Sequence, residues 1–236
     1  MAKKTSKRKT LNILDKNKKH SQFDYTEIFR HIRTNIEFST VDKDIKSICI
    51  TSSQAGEAKT TLSINLAYIF ATKYNRVLLI DCDLRKNTLH KYMGLSNKHG
   101  LTDALLEYRQ TKKLNVEYFQ SVKDPSFAGT MAVLTSGIHI PNPSELLGSH
   151  VFKDYINELK KSFDFIIIDC APVGMMSDAI PIGNAVDGTI FAISSQDTNK
   201  KDAANCVKLL QRNNVNVLGS VLTKAKSLSG SHYYYY

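Results

Sequence analysis

One stretch of the sequence, residues 53–60, ends a short turn of small and polar residues with a lysine and a hydroxyl. It follows an apolar segment and precedes a predicted helix, which is the setting of a phosphate-binding loop. Backbone N–H groups and a helix N-terminus form an anion site in such a loop. Lys59 would reach the β- and γ-phosphates of a nucleoside triphosphate, and the Thr60 hydroxyl would ligate Mg²⁺. The predicted nucleotide contacts are Ser53, Gln54, Ala55, Gly56, Glu57, Ala58, Lys59, Thr60 and Thr61.

The loop departs from the pattern G-x-x-x-x-G-K-[ST] at both glycine positions. Ser53 occupies the first of them and Ala58 the last. The methyl group of Ala58 would crowd the β-phosphate or disfavour the backbone angles that the turn needs. A strand, turn and helix that carry Lys-Thr by chance are therefore an alternative explanation of this stretch.

Three carboxylates follow apolar segments elsewhere in the chain. Asp81 and Asp83 come after one such segment, and Asp169 comes after another. Because ligands of open α/β sheets bind outside the carboxyl ends of the strands, we expect these side chains to converge on the Lys-Thr loop. Carboxylate oxygens suit Mg²⁺, and one of them can accept a hydroxyl proton during phosphoryl transfer. The alternative is that each aspartate only caps a turn.

Apolar runs that alternate with helical patterns must position these groups. The runs do not alternate polar with apolar residues, so both faces of the strands are expected to be covered. We predict an α/β fold of the three-layer P-loop NTPase type, with a mostly parallel central sheet and helices on both faces. The predicted strands are 47–51, 77–81, 131–135, 165–169, 188–194 and 215–222, and the predicted helices are 25–38, 60–73, 101–106, 145–161 and 200–212.

Composition and charge limit the class of protein. The 236 residues are 42% hydrophobic and 23% charged, as in an ordinary globular chain. No apolar run has the length of a membrane span and no signal peptide is visible, so we expect a cytoplasmic protein. The net charge of +10 is uneven, because residues 1–20 hold eight Lys or Arg against one Asp, a net charge of +7. This arm either binds an anionic surface or is a solvated tail, whereas the body gives no indication of nucleic-acid binding.

These patterns divide the chain into three segments. They are a basic arm at 1–20, a globular domain at 21–223 and a tail at 224–236 that ends in Tyr233, Tyr234, Tyr235 and Tyr236. The four cysteines have neither metal-site nor disulfide spacing, and we expect Cys49, Cys82 and Cys170, which lie in or beside predicted strands, to be small buried residues in a reducing compartment.

Together these residues resemble the bacterial tyrosine kinase (BY-kinase) family, in particular the separate CpsD/CapB-type kinases of capsule and exopolysaccharide operons. The loop at 53–60 is similar to the family's Walker A motif, and residues 79–85 are similar to its Walker A′ motif. Residues 166–169, with Pro172 and Asp178, resemble its Walker B region. Glu27, Arg30 and Arg33 match its ExxRxxR element, and the tyrosine cluster matches its autophosphorylated tail.

The resemblance implies an ATP- and Mg²⁺-dependent autokinase that regulates polysaccharide synthesis. Lys59 would hold phosphates, Asp83 and Asp169 would organise Mg²⁺ with Thr60, and Asp81 would contact the attacking tyrosine hydroxyl. Glu27, Arg30 and Arg33, at spacings of three on one helical face, would join protomers into a ring that phosphorylates its tails in trans. The implied partners are a transmembrane activator, further copies of the chain and protein tyrosines, which would place the protein at the inner face of the membrane.

Two other functions remain open. A partitioning or cell-division ATPase switch of the ParA/MinD type shares the fold, but it carries a lysine early in the loop where this chain has Gln54, and it lacks the tyrosine cluster. A catalytically weak or inactive P-loop regulator of polysaccharide assembly is favoured by Ala58.

Overall fold

The protein is described here by a computed structural model that covers residues 25–39 and 44–225. The basic arm at 1–20 and the tyrosines Tyr233–Tyr236 lie outside these ranges. What the sequence predicts for them, and for the domain boundaries that they define, stays a prediction.

The described residues form seven strands, eight α-helices and a short 3-10 helix at Val116–Tyr118. The strands are β1 (Ser47–Ser52), β2 (Arg76–Asp81), β3 (Gln120–Val122), β4 (Thr130–Leu134), β5 (Phe165–Asp169), β6 (Gly188–Ser194) and β7 (Val217–Thr223). The helices are α1 (Tyr25–Glu37), α2 (Lys59–Ala71), α3 (Leu89–Met93), α4 (Leu101–Thr111), α5 (Pro143–Leu147), α6 (His150–Ser162), α7 (Ala179–Ala185) and α8 (Lys200–Arg212).

All seven strands belong to one sheet with the order β3-β4-β2-β5-β1-β6-β7. Every pair is parallel except β3 with β4. Strand β5 therefore lies between β1, which leads into the Lys-Thr loop, and β2, which ends at Asp81. In the register of β2 and β5, Asp81 stands opposite Asp169, so the topology alone places two of the predicted carboxylates side by side.

Two apolar cores cover the two faces of the sheet, which confirms the three-layer fold expected from the sequence. Successive residues of β2 point to opposite faces, as the pleat requires: Leu78 and Ile80 enter the core beneath α4, α6, α7 and α8. Val77 and Leu79 enter the other core, beneath α1 and α2. Helix α2 is buried along most of its circumference, because α1 packs over the side that the sheet leaves open.

Some elements differ from the sequence-based expectation. The predicted helix 145–161 is two helices, α5 and α6, separated at Gly148; the Ser149 hydroxyl accepts a hydrogen bond from the Phe152 N–H and so caps α6. Strand β3 was not predicted, nor were helices α3 and α7, all of which are seven residues or shorter. Within the described part of the chain, no helix has both the length and the apolar character of a membrane span.

Candidate active site

The Lys-Thr loop connects β1 to α2 and curls through two left-handed residues. Gly56 has φ 86° and Ala58 has φ 63°, with Ala58 at the N-cap of α2. The Leu62 N–H bonds the Ala58 carbonyl at 2.9 Å, whereas no side chain caps the helix. The N–H groups of the first helical turn are thus open to an anion, which also benefits from the helix dipole.

Ala58 adopts the backbone conformation that favours glycine. An alanine in the left-handed region costs about 1 kcal/mol more than a glycine there. The methyl group does not close the site, because Ala58 lines an open cleft of about 410 Å³ together with Gly56, Lys59 and Thr60. That volume lies within the range of about 300–1,000 Å³ that small-molecule sites occupy. The substitution thus strains the loop without filling the space in front of it.

Thr60 and Asp169 join the loop to the end of β5. The Thr60 hydroxyl donates to Asp169 Oδ2 at 2.6 Å, and the Ser63 hydroxyl donates to Oδ1 at 3.1 Å. Burial raises the pKa of Asp169 to about 6, although the Thr60 hydrogen bond, the Lys59 charge and the Ser63 hydrogen bond each lower it. Ser63 was not predicted from the sequence; it lies one helical turn after Lys59 on the face toward β5.

Asp81 is the most deeply buried carboxylate of the cleft edge. Its side chain is fully buried, and Oδ2 has no hydrogen-bond partner among the described residues. Its other oxygen accepts the Asp83 N–H at 3.1 Å. Burial, followed by the charges of Asp169 and Asp83, raises the pKa of Asp81 well above its ordinary value. Asp81 and Asp169 do not line the cleft themselves; they lie behind Asp83 and Thr60, which do.

Asp83 and Arg85 follow Asp81 at the mouth of the cleft and line it. Asp83 Oδ1 accepts the Lys86 N–H at 2.9 Å, which shapes the turn after β2. The Arg85 guanidinium donates from Nε to the buried Asp178 at 2.7 Å and from Nη2 to the Ser144 hydroxyl at 2.9 Å. These contacts tie the Walker A′-like segment to the loop after β5 and to α5.

The remaining predicted loop residues divide into two groups. Ala55 and Thr61 line the cleft. Ser53 and Gln54 do not line it, and instead they contact protein groups: the Ser53 hydroxyl bonds Glu57, and the Gln54 side-chain amide bonds the Asp197 carbonyl. Glu57 is also turned away from the cleft and fully buried. Its contact with Thr198, in the turn before α8, was not predictable because nothing in the sequence pairs these positions.

The three residues of α1 that were predicted to join protomers, Glu27, Arg30 and Arg33, do not share one environment. Glu27 and Arg30 are exposed and pair with each other at 2.7 Å. Arg33 points toward α2, where its Nη1 donates to the Ile69 carbonyl at 2.9 Å. Glu27 and Arg30 are thus available to a second protomer, whereas Arg33 holds α1 against α2 within the chain.

Cys49, Cys82 and Cys170 are buried, as expected from their place beside strands, and so is Cys206. Among the described residues, no group of three or more His, Cys, Asp and Glu side chains forms a metal cage.

Comparison with known proteins is consistent with this geometry. The family model described as AAA domain matches residues 45–218. The tyrosine-protein kinase YwqD of Bacillus subtilis (strain 168) is 42% identical over 211 residues, which cover 89% of this chain and 86% of that protein. The putative tyrosine-protein kinase CapB of Staphylococcus aureus is 36% identical over 236 residues, covering 100% of this chain and 98% of that protein. The crystal structure of the chimerical protein CapA2B2 has a TM-score of 0.76 and 32% identity, over 87% of this chain and 86% of that one. These similarities confirm the resemblance inferred from the motifs.

Proposed function

This chain belongs to the bacterial tyrosine kinase family, and we propose that it uses ATP·Mg²⁺ to phosphorylate tyrosines, including Tyr233–Tyr236 on a neighbouring copy. The observation that carries the proposal is the hydrogen bond between Thr60 and Asp169 at the edge of an open cleft. It joins the phosphate loop to the strand end that neighbours Asp81, which supports placing the groups that would bind phosphate and accept a proton next to each other.

The residues around Thr60 fit a magnesium ion. The Thr60 hydroxyl would be a direct ligand, and Asp83 and Asp169 would act through water, which matches the preference of Mg²⁺ for oxygen ligands and retained waters. The bound metal would supply positive charge that neutralises the β- and γ-phosphoryl oxygens. The buried, unpartnered oxygen of Asp81 instead supports its proposed role toward the tyrosine hydroxyl, because such a polar atom lacks a partner until a ligand arrives.

In the proposed reaction, the tyrosine oxygen attacks the γ-phosphorus, the bond from this phosphorus to the β–γ bridging oxygen breaks, and ADP leaves. Lys59, which lines the cleft, would hold the β- and γ-phosphates. Asp81 would orient the tyrosine hydroxyl and take its proton, a role for which its raised pKa makes it a better base than an exposed aspartate. The open N–H groups at the start of α2 would bind phosphate oxygens.

We further propose that the kinase regulates capsular or extracellular polysaccharide synthesis, at the inner face of the membrane, through a transmembrane activator. The capsule-type names of the relatives support the pathway. The exposed Glu27–Arg30 pair on α1 supports a surface through which protomers join into a ring. Arg33 would act there indirectly, by fixing the position of α1.

A second candidate function is that of a P-loop regulator with weak or no catalysis, and one observation favours it. Ala58 holds a left-handed conformation in the phosphate loop, and the free energy of this strain opposes the form that binds nucleotide. The two functions differ in whether the tail acquires phosphate.

The test mixes two complementary variants of the purified protein with ATP·Mg²⁺, with and without the cytoplasmic segment of a membrane activator. One variant changes Tyr233–Tyr236 to Phe and keeps the active site. The other, labelled with ¹⁵N, carries Lys59→Ala and keeps the tail. Mass spectrometry should find phosphate on the labelled tail, which can come only from the other copy. Phosphate on the wild-type tail but none on the labelled tail would contradict transfer in trans. If the wild type binds ATP but no phosphate appears even with activator, the regulator is the better description.

A further inference from the structure

Glu57 places a carboxylate inside the phosphate loop but away from the cleft. The side chain is fully buried, and both of its oxygens accept hydrogen bonds. Oε1 accepts from the Ser53 hydroxyl at 2.8 Å and from the Thr198 hydroxyl, and Oε2 accepts the Gln54 N–H at 2.9 Å. Glu57 lies near the end of the loop, and its side chain therefore joins that end to Ser53 and Gln54 at the beginning.

The same hydrogen bonds connect the loop to β6 and β7, the two strands that lie beyond β1 in the sheet. The Thr198 hydroxyl accepts the Ser194 N–H at 2.7 Å and so is held in place while it donates to Glu57. The Thr223 hydroxyl donates to the Glu57 backbone carbonyl at 2.9 Å. The Gln54 side chain reaches the Asp197 carbonyl at 2.7 Å. The loop is therefore anchored both to the turn after β6 and to the end of β7.

Burying a negative charge beside an anion site costs free energy, so the ionised Glu57 needs hydrogen bonds that offset this cost. Triphosphate and carboxylate repel each other, and burial alone raises the pKa of Glu57. The hydrogen bonds from Gln54, Thr198 and Ser53 nevertheless bring that pKa below its ordinary value, so the group is held ionised. Only an ionised carboxylate accepts from three donors without presenting a donor of its own.

We propose that Glu57 is a positioning residue of the phosphoryl-transfer site, which shapes residues 53–58 so that the free N–H groups face the cleft. The inference rests on the proposed use of ATP. Glu57 touches neither nucleotide nor tyrosine in this role; it acts through the backbone that it holds.

The neighbouring residue gives the proposal a distinctive consequence. Ala58 follows Glu57 directly and is held in the left-handed region, which alanine disfavours. Without the carboxylate, the loop can relax to a form that relieves Ala58 and turns N–H groups away from the cleft. A glycine at position 58 has no such reason to relax, so Ala58→Gly should restore what the loss of Glu57 removes.

The variants follow from this reasoning. Glu57→Gln keeps the shape but replaces one acceptor oxygen with an NH₂ group that faces hydrogen-bond donors. Thr198→Val keeps the shape of the anchor and removes its hydroxyl. The double variant Glu57→Gln/Ala58→Gly tests the rescue, and Glu117→Gln makes the same chemical change at an exposed position far from the loop in sequence.

The experiment titrates the full chain with a fluorescent ATP analogue and Mg²⁺, and measures kcat and KM for ATP in parallel. Glu57→Gln should raise the Kd and KM about tenfold, because a buried donor loses its acceptor, with kcat at saturating ATP within about twofold of wild type. Thr198→Val should raise the Kd about threefold, the double variant should recover at least half of the loss on a logarithmic scale, and Glu117→Gln should bind as wild type does.

Other outcomes would overturn the proposal. Unchanged affinity in both Glu57→Gln and Thr198→Val would refute a positioning role, and so would a loss that Ala58→Gly leaves uncorrected. Thermal unfolding without nucleotide identifies variants that fail to fold; if Glu57→Gln does, unchanged affinity in Thr198→Val alone refutes the proposal. No nucleotide binding by the wild type would instead overturn the proposed function, and this inference with it.

Discussion

Replacing Asp169 by asparagine should stabilise the nucleotide-free protein while it abolishes phosphoryl transfer. The carboxylate has a pKa of about 6 in the folded chain, against an ordinary value of 3.8. Burial is the main cause, and the hydrogen bonds from Thr60 and Ser63 do not compensate for it fully. Asparagine keeps those contacts. Its oxygen can accept from Thr60, and its NH₂ group can donate to Ser63, whose hydroxyl also donates to the Lys59 carbonyl at 3.0 Å.

The size of the stability gain in Asp169→Asn, and its pH dependence, follow from the pKa difference between the folded and the unfolded state. Between pH 3.8 and 6 the folded state binds more protons at this site than the unfolded state, so stability falls as the pH rises. Below pH 3.8 both states are protonated and the contribution vanishes; above pH 6 it is complete. A difference of about 2 pKa units corresponds to about 3 kcal/mol, and for a chain of this size to roughly 6–12 °C in Tm.

The assay is thermal unfolding of wild type and Asp169→Asn without nucleotide, at intervals from pH 3.5 to 8. The variant should have the higher Tm at pH 8, and the two curves should meet near pH 4. Asp154→Asn, which removes an exposed carboxylate, should differ from wild type by less than about 0.5 kcal/mol at any pH. A lower Tm for Asp169→Asn at pH 8, or a gain that does not change with pH, would refute the reasoning.

Three further predictions rest on single contacts and are checked by thermal or denaturant unfolding without nucleotide. Ala58→Gly should raise the free energy of unfolding by about 0.5–1 kcal/mol, since its φ of 63° favours glycine; no gain would mean that the loop is not strained. Arg33→Ala should lower that free energy by about 1–3 kcal/mol, because its contacts with α2 are lost, whereas Arg30→Ala should change it by less than about 0.5 kcal/mol. Equal effects of the two would contradict the inward assignment. Gly174→Ala should destabilise by more than about 2 kcal/mol, because the new Cβ would lie 2.2 Å from the Ser53 carbonyl oxygen; a neutral result would show that the loop yields easily.

The order of elements was predictable because the buried strands are continuous apolar runs, two of which end at aspartates. Strand β5 was predicted with its observed bounds, and so was α8, whose apolar residues recur at helical spacing. Strand β3 is a three-residue edge with the sequence Gln-Ser-Val, too short and too polar to give a pattern. Helix α7 contains a proline and a glycine within seven residues, which the sequence-based rules take as a loop.

The site was predictable where residue type and topology agree, and not where tertiary contacts decide. Asp81 and Asp169 could be placed together from two strand ends alone. The inward direction of Arg33 follows from helix geometry, because six residues advance a helix by about 600°, which leaves Arg33 about 120° around the axis from Glu27. The spacing of three was therefore a poor guide to a shared face. The burial of Glu57 depends on Thr198, which is 141 residues away in sequence.

Features that oppose folding are concentrated at the carboxyl edge of the sheet. Asp81 and Asp169 are buried side by side with raised pKa values, and Ala58 is held in a disfavoured conformation nearby. The strands that hold these aspartates lie between two apolar cores, whose burial offsets the free energy that these features cost. A ligand that adds positive charge beside the carboxylates would offset the cost of burying them, whereas the strain at Ala58 would persist in the bound form. Stability and activity are then opposed at the same residues. Mutations of Asp81 or Asp169 that stabilise the empty protein should therefore reduce the stabilisation that ATP·Mg²⁺ provides, because both act on the free energy of burying these carboxylates.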